Sequence, residues 1–286
     1  SLLVDQKDHL ETIFKTGNRL IAVHSENEEM VQENAKKYQS SRDVMDHLKI
    51  RTPEAAITCT RELVELAKRH QRRLHICHLT TQEEAEFLAG VLPQTPYITT
   101  EVTPQHLFLS SPDIYKKCST FAQINPPIRE KRHMEALRIA LKQGVISCMG
   151  TDHAPHTIEE KEKPFGQAPS GMPGVETWLP LMLDWAAQGQ CSIHDVWRWC
   201  SFNVARNFSI PNKGSLREGY DADLVMVDLS AKHTLKNNEQ VTKAKWTAFD
   251  GTKLTGKVIA TFVNGQMVFR EGDFNDEIKG KEVQIG

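Results

Sequence analysis

The residues best suited to chemistry in this chain stand at the ends of apolar runs. Val145-Ile146-Ser147-Cys148-Met149-Gly150 leads into Thr151-Asp152-His153-Ala154-Pro155-His156. Arg19-Leu20-Ile21-Ala22-Val23 ends in His24, with Ser25 and Glu26 behind it, and Arg73-Leu74-His75-Ile76-Cys77 ends in His78. Short apolar runs of this kind read as buried strands. In barrel enzymes the loops that follow the C-terminal ends of the strands carry the catalytic side chains. Taken alone, an Asp-His pair after a strand can simply cap a turn, and a lone histidine at a strand end is more often structural than a ligand. Three strands that each deliver a ligand-type residue at the same end favour a shared site. Imidazole nitrogens and carboxylate oxygens suit Zn2+, which in catalytic sites keeps an open position for water and lowers its pKa to about 7. His24, His78 and Asp152 are therefore the expected metal ligands. Two metals sharing a hydroxide would polarise a carbonyl and supply the nucleophile. Asp152 can accept the hydroxide's proton and return it to a leaving nitrogen, doubling as acid/base. Asn125 and His156 are the right types to hydrogen-bond an amide or carboxylate of a substrate.

The elements that must position these residues alternate between strand and helix patterns up to about residue 208, the signature of a parallel α/β arrangement. Strands are expected at 19 to 24, 73 to 79, 97 to 102 and 145 to 151. A helix begins near Thr52-Pro53, proline suiting the first helical position, with Leu63, Leu66 and Ala67 on one side. Thr80 with Glu83 has the spacing of a capping box opening a helix over 84 to 92. The stretch 104 to 127, containing Asn125-Pro126-Pro127, reads as a long irregular loop of the kind that carries function. A helix over 130 to 142, with Met134, Leu137 and Leu141 in helical spacing, leads to the Asp152 strand. A second long loop over 153 to 173 precedes helices at 175 to 187 and 193 to 207. From Gly214 the pattern changes to short β segments, at 222 to 228, 258 to 263 and 266 to 269. Asn264-Gly265 between the last two is a strong hairpin signal.

Composition sets bounds. The 286 residues carry 35 Lys+Arg against 37 Asp+Glu, a formal charge of -2, and 39% are hydrophobic. No basic excess points to nucleic acid. No apolar stretch approaches the roughly 18 residues that span a bilayer, and nothing at the N-terminus resembles a signal peptide, so a cytoplasmic setting is expected. Six scattered cysteines without a C-x-x-C pair read as reduced, packed thiols. Trp178, Trp185, Trp197 and Trp199 read as packing residues on helices. His9, His47, His70, His133, His194 and His233 read as solvated, His106 as a residue near the site, and the charge run 159 to 163 as a solvated loop. Four barrel-type strands are visible, whereas a closed β/α barrel needs eight and about 250 residues. The sheet is then either open or part of a barrel whose other half is absent.

Several segments in order carry a resemblance: Val23-His24-Ser25-Glu26, Ile76-Cys77-His78-Leu79-Thr80-Thr81, Glu101-Val102-Thr103-Pro104-Gln105-His106-Leu107, Ile124-Asn125-Pro126-Pro127-Ile128-Arg129, Gly150 to His156, Gly171-Met172-Pro173-Gly174-Val175-Glu176-Thr177, and Gly214-Ser215-Leu216 through Val225. Over nearly its whole length the chain resembles the class I dihydroorotases of the cyclic amidohydrolase superfamily. The resemblance implies the C-terminal half of a (β/α)8 TIM barrel over 1–210 and a small β domain of composite-sandwich type over 211–286. It implies reversible hydrolysis of L-dihydroorotate to N-carbamoyl-L-aspartate, a step of pyrimidine biosynthesis, by a metal-activated hydroxide, with two Zn2+ in a complete site. His24 and His78 match ligands of the more buried metal, and Asp152 a ligand of the other that doubles as acid/base. Asn125 and His156 match substrate-binding residues, and Ser170 and Gly171 the segment whose backbone contacts the substrate ring. The family's first-strand His-x-His pair, the arginine after it and the bridging carboxylated lysine or aspartate of its fourth strand have no counterpart here. A missing N-terminal half is therefore expected to be required, and this chain alone to be inactive.

The nearest alternatives are a hydantoinase or allantoinase, which usually carries serine rather than asparagine before the Pro-Pro, and a non-catalytic dihydroorotase-like partner of aspartate transcarbamoylase. The resemblance implies a small-molecule substrate, no membrane and no nucleic acid, and it leaves open a homo-oligomer or an association with aspartate transcarbamoylase.

Overall fold

The computed structural model of the chain describes residue 4 and residues 6–283. Among these, packing divides the chain into two compact units, one of residues up to Val175 together with Thr242–Ala248, the other of Glu176–Val241 with the residues from Phe249 onward. No described helix is long and apolar enough to cross a membrane.

The first unit is built on a parallel sheet, β1 (Ile21–Val23), β2 (Leu74–Ile76), β3 (Ile98–Val102) and β4 (Cys148–Met149), in that spatial order. Ile21, Leu74 and Ile98 lie in one register row, and Glu101 pairs with Cys148. The strands are shorter than the apolar runs that announce them, β4 covering only Cys148–Met149 of the run from Val145. Parallel strands need long crossovers, and helices supply them. Pro53–His70 starts on Thr52, whose side chain accepts from Ala55 N–H, and buries Ala55, Ala56, Leu63, Val64 and Ala67. Lys131–Gln143 buries Met134, Leu137 and Leu141 on the expected stripe and ends at Gly144, whose φ of 80° suits the helix exit.

The capping box lies one residue later than its sequence spacing suggests. Thr81 and Glu84 close it at the start of the helix Gln82–Val91, since Glu84 Oε2 accepts from the N–H groups of both Thr80 and Thr81 while Glu83 turns outward to Arg132. The stretch 104 to 127 is not irregular throughout. It holds helices Pro104–Phe108 and Asp113–Cys118 and a 3-10 turn, Ser119–Ala122. These pieces pack into a core of their own, where Ile114, Tyr115, Ile124, Ile128, Phe165 and Met172 meet Trp246 from the returning segment. That core holds the loops rigid without long elements.

The second unit carries the helices Trp178–Ala187, Ile193–Trp197 and Asn203–Asn207, the last two joined by a π turn within the span expected as one helix. Its antiparallel sheet runs β5 (Leu224–Thr234), β6 (Lys253–Val263), β7 (Gln266–Arg270) and β8 (Asp273–Phe274). Asn264 and Gly265, at φ 50° and 78°, form the hairpin turn between β6 and β7. β5 and β6 extend beyond the apolar segments because their polar ends, Lys232 to Thr234 and Lys253 to Thr255, stay in register. Gly256, at φ +104°, lets β6 approach the helix Trp178–Ala187, where a Cβ would sit 2.7 Å from Leu183 Cβ.

Candidate active site

β1 and β2 end side by side, and the two histidines that follow them meet. His24 Nδ1 lies 3.2 Å from His78 Nε2, with the rings edge to face at 4.8 Å between centroids. His24 Nε2–H donates to Glu26 Oε2 at 2.8 Å, which places the His24 lone pair on Nδ1, toward His78. Glu26 is buried and also pairs with Arg51. Burial alone would raise its carboxyl. The hydrogen bond from His24 and the Arg51 guanidinium outweigh that and hold it at about 2. Burial, with the His24 ring alongside, pushes the His78 imidazole below its ordinary range, so it is kept as a neutral lone-pair donor. Two ring nitrogens facing each other at this spacing fit neighbouring corners of one tetrahedral ion, whose ligands at bond lengths of about 2.0–2.1 Å stand about 3.3 Å apart.

Asp152 stands at the end of β4, where its carboxylate acts electrostatically on His78 against the effect of burial. Both His78, at φ 35°, and Asp152, at φ 43°, hold left-handed backbone that L residues avoid. Such strain, worth about 1–3 kcal/mol a residue, collects where side-chain direction matters. His24, His78 and Asp152 do not close into a group of three with all ligand atoms within 4.8 Å; among the described residues His75, Glu101 and Cys148 do.

A buried polar network supports the two strand ends. Ser25 hydroxyl meets Thr60 at 2.8 Å, Thr60 donates to Glu84 at 2.9 Å, and Arg129 donates through Nε to Thr80 and through Nη1 to the Arg51 carbonyl. Residues flanking His24 and His78 are thus tied to one another beneath the sheet end.

The remaining predicted residues sit on the loops. Asn125 has a buried Oδ1 without a hydrogen-bond partner among the described residues. The carbonyls on either side of it are held by buried histidines: His47 Nε2–H donates to Ile124 O at 2.8 Å, and His106 Nε2–H to Pro126 O at 3.1 Å. Thr103 hydroxyl, 2.7 Å from His106 Nδ1, fixes that tautomer. Burial lowers His47 to about 4 and His106 to about 3, so both remain neutral. His47 and His133 are therefore not the solvated residues their surface-type sequence pattern predicts. His133 is buried and accepts from Gln82 N–H at a helix start.

His156 and Gly171 lie together. A Cβ on Gly171, at φ +141°, would stand 2.5 Å from Ala154 O and 3.1 Å from His156 Cδ2. Ser170 Oγ accepts from Gln123 Nε2 at 3.0 Å, and Gly171 N–H donates to Gln123 O at 2.9 Å, so the Ser170-Gly171 segment is bound two residues from Asn125. His156 Nδ1 is 3.3 Å from Glu160, and its carbonyl accepts from Trp246 Nε1–H at 2.8 Å. Lys161 departs from the solvated charge run expected of it. It is fully buried, its ammonium donates to Gln123 O at 3.1 Å and Pro169 O at 2.8 Å, and burial lowers it to about 8.

Sequence reasoning missed Glu26, Arg51, His47, Lys161 and Trp246 as supports. Glu26, two residues beyond His24, had a readable signal. The others carry none, because their partners lie far along the chain.

The sequence pattern of the amidohydrolase family matches residues 7–268. The chain is 34% identical over 253 residues to a dihydroorotase of Methanothermobacter thermautotrophicus, covering 88% of this chain and 57% of that protein. It is 37% identical over 231 residues to a dihydroorotase of Pyrococcus abyssi, covering 81% and 54%. Among solved structures, an L-hydantoinase (dihydropyrimidinase) from Arthrobacter aurescens superposes with a TM-score of 0.90 at 26% identity over 96% of this chain and 63% of that one. The dihydropyrimidinase of Brevibacillus agri, at 24% identity and a TM-score of 0.89, shares the fold. The chain spans less than two thirds of the length of the dihydroorotases it matches, 57% and 54% of the two named. With parallel strands ending in His24, His78 and Asp152 and a family pattern running through nearly all of it, the chain belongs to the amidohydrolase family.

Proposed function

We propose that this chain is part of a dihydroorotase, corresponding to the later half of a (β/α)8 barrel with its small β domain. The observation that carries the reading is the convergence of His24 Nδ1 and His78 Nε2 at 3.2 Å, with Glu26 fixing the His24 tautomer. A pair of Zn2+ ions is the proposed cofactor, held in part by His24, His78 and Asp152. When bound, it supplies Lewis acidity at the ring carbonyl and lowers the pKa of the attacking water. Asp152 takes the proton of that water and delivers it to the ring nitrogen as the amide bond opens, which balances the hydrolysis. Asn125, through its unpartnered amide oxygen, and His156 bind the polar edge of the substrate. The Ser170-Gly171 backbone lies against His156, and Gln123 holds that segment in register with Asn125.

The support for dihydroorotate over hydantoin lies in the dihydroorotases matched at 34% and 37% identity, against a hydantoinase matched at 26%. The test is a Zn2+-supplemented assay of L-dihydroorotate, hydantoin and allantoin, using the chain joined to the N-terminal part of a matching dihydroorotase. Turnover of dihydroorotate that drops at least about a hundredfold in Asp152→Asn, the scale of lost acid/base catalysis, supports the proposal. Turnover of hydantoin alone would sink it, and a protein that binds dihydroorotate without turning it over would favour the non-catalytic reading.

A further inference from the structure

The same parallel sheet gathers three other ligand-type side chains, and they form a tighter group than the histidine pair and Asp152. Glu101 of β3 pairs in register with Cys148 of β4, and His75 of β2 pairs with Thr99, two residues before Glu101. In-register neighbours and residues two apart point to one face of a sheet, so His75, Glu101 and Cys148 share a face. Their ligand atoms all lie within 4.8 Å of one another, with His75 Nε2 3.2 Å from Glu101 Oε2. His75 and Cys148 are fully buried, and the Glu101 side chain is 15% exposed.

Thr99 Oγ1 lies 2.8 Å from His75 Nδ1, placed to accept from Nδ1–H, and 3.5 Å from the Leu74 carbonyl. That contact turns Nε2 toward Glu101, and an imidazole whose other nitrogen is held by a protein oxygen is the arrangement that metal-binding histidines adopt. Gly150 provides the room, since a Cβ there would stand 2.5 Å from the Glu101 carboxyl group.

The geometry points to a metal site separate from the His24 and His78 pair: His75 Nε2, Glu101 Oε2 and Cys148 Sγ bind a borderline-soft divalent cation of the zinc class, with one tetrahedral position open. A thiolate, an imidazole and a carboxylate are together a zinc-type donor set. Ligands on one such ion stand about 3.3–3.8 Å apart at zinc bond lengths, so the group contracts by about 1 Å on binding. The Cys148 thiol gives its proton to solvent as the bond forms.

Co2+, added alone to the purified 286-residue chain under reducing conditions, is the probe. Binding is expected to raise a thiolate-to-cobalt charge-transfer band in the near ultraviolet. Cys148→Ser abolishes the band. His75→Gln and Glu101→Gln each weaken Co2+ binding by at least about tenfold, and Thr99→Val by about 10–100-fold with the band intact at saturation. His24→Ala and Cys77→Ser keep it. If Cys148→Ser does not fold, as judged by circular dichroism, the near-isosteric Glu101→Gln carries the test. No band, a band that survives Cys148→Ser, or one lost with His24→Ala overturns the site. Cobalt absorption without a thiolate band reports the histidine pair alone, so this site can fail while the dihydroorotase reading stands, and the reverse holds as well.

Discussion

β2 and β5 show how differently the two sheets of this chain spend their side chains. β2 has three residues, all buried, and polar side chains near it are hydrogen-bonded, His75 to Thr99 and Thr80 to Arg129. β5 has eleven residues, none of them buried, with Val225 48%, Met226 55% and Leu229 50% exposed. The first unit therefore places charge and histidine inside and holds them with partners, whereas the second leaves apolar side chains outside. A hollow of about 490 Å³ in the second unit is lined mainly by apolar side chains such as Trp178, Leu183, Trp197 and Val225, with Lys213, Asp221 and Asp223 at its polar side and no histidine among its lining residues. Chemistry follows paired buried polar groups, and an open apolar face by itself marks a contact surface.

The most severe break in this contrast is the loss of Arg129. Its guanidinium is buried, donates to Thr80 and Arg51, and offsets the charge of Glu26 and Glu84. Arg129→Met leaves the buried Glu84 without a cation and Glu26 with Arg51 alone, and is expected to cost about 3–5 kcal/mol. Urea unfolding followed through Trp246, the one tryptophan in the first unit, reads it directly. Removing an exposed cation of the antiparallel sheet, as in Lys257→Met, is expected to change stability by less than about 0.5 kcal/mol.

Acid should act on the first unit next most strongly. Burial lowers His47 to about 4 and His106 to about 3, below the value of about 6.5 for an unfolded histidine. As the pH falls below about 6.5 the unfolded chain takes up these protons first, so stability is full above that point and drains away toward the folded values. His47 alone accounts for about 3 kcal/mol over this window. A urea midpoint that falls between pH 6.5 and 4, with a shallower fall in His47→Gln, is the expected result; a flat profile would contradict the buried neutral imidazole.

A smaller effect sharpens the picture of the loops. Gly171→Ala places a methyl against Ala154 O and His156 in left-handed backbone and should cost about 1–3 kcal/mol. Its signature is a shifted His156 ring resonance. The smallest change is expected on β5, where Val225→Thr with Met226→Gln should alter stability by less than about 0.5 kcal/mol while raising the concentration at which the protein begins to aggregate.

Much of the fold was legible in the sequence because its signals are local. The four parallel strands, the proline-led helix at Thr52, the stripe of Met134, Leu137 and Leu141 and the Asn264-Gly265 hairpin each depend on neighbours within a few positions. The capping box moved by one residue because Thr80-Thr81 and Glu83-Glu84 offer two frames, and only the outward pull of Arg132 on Glu83 separates them. The buried clamps at Lys161 and His47 were illegible, since a charged or polar residue in a loop looks solvated until its partners are known.

By itself, the sequence determined which residue types stand at the strand ends, because an apolar run and the His or Asp that closes it are contiguous. It thereby placed His24, His78 and Asp152 at strand ends before any geometry was known. The tertiary structure decided which of them meet and what holds them. The His24 and His78 nitrogens converge across 54 positions, His47 reaches the Ile124 carbonyl across 77, and Trp246 reaches His156 across 90. Hydrogen bonds of that span exist only once the chain has packed, and so does the left-handed backbone that turns His78 and Asp152 out of their strands.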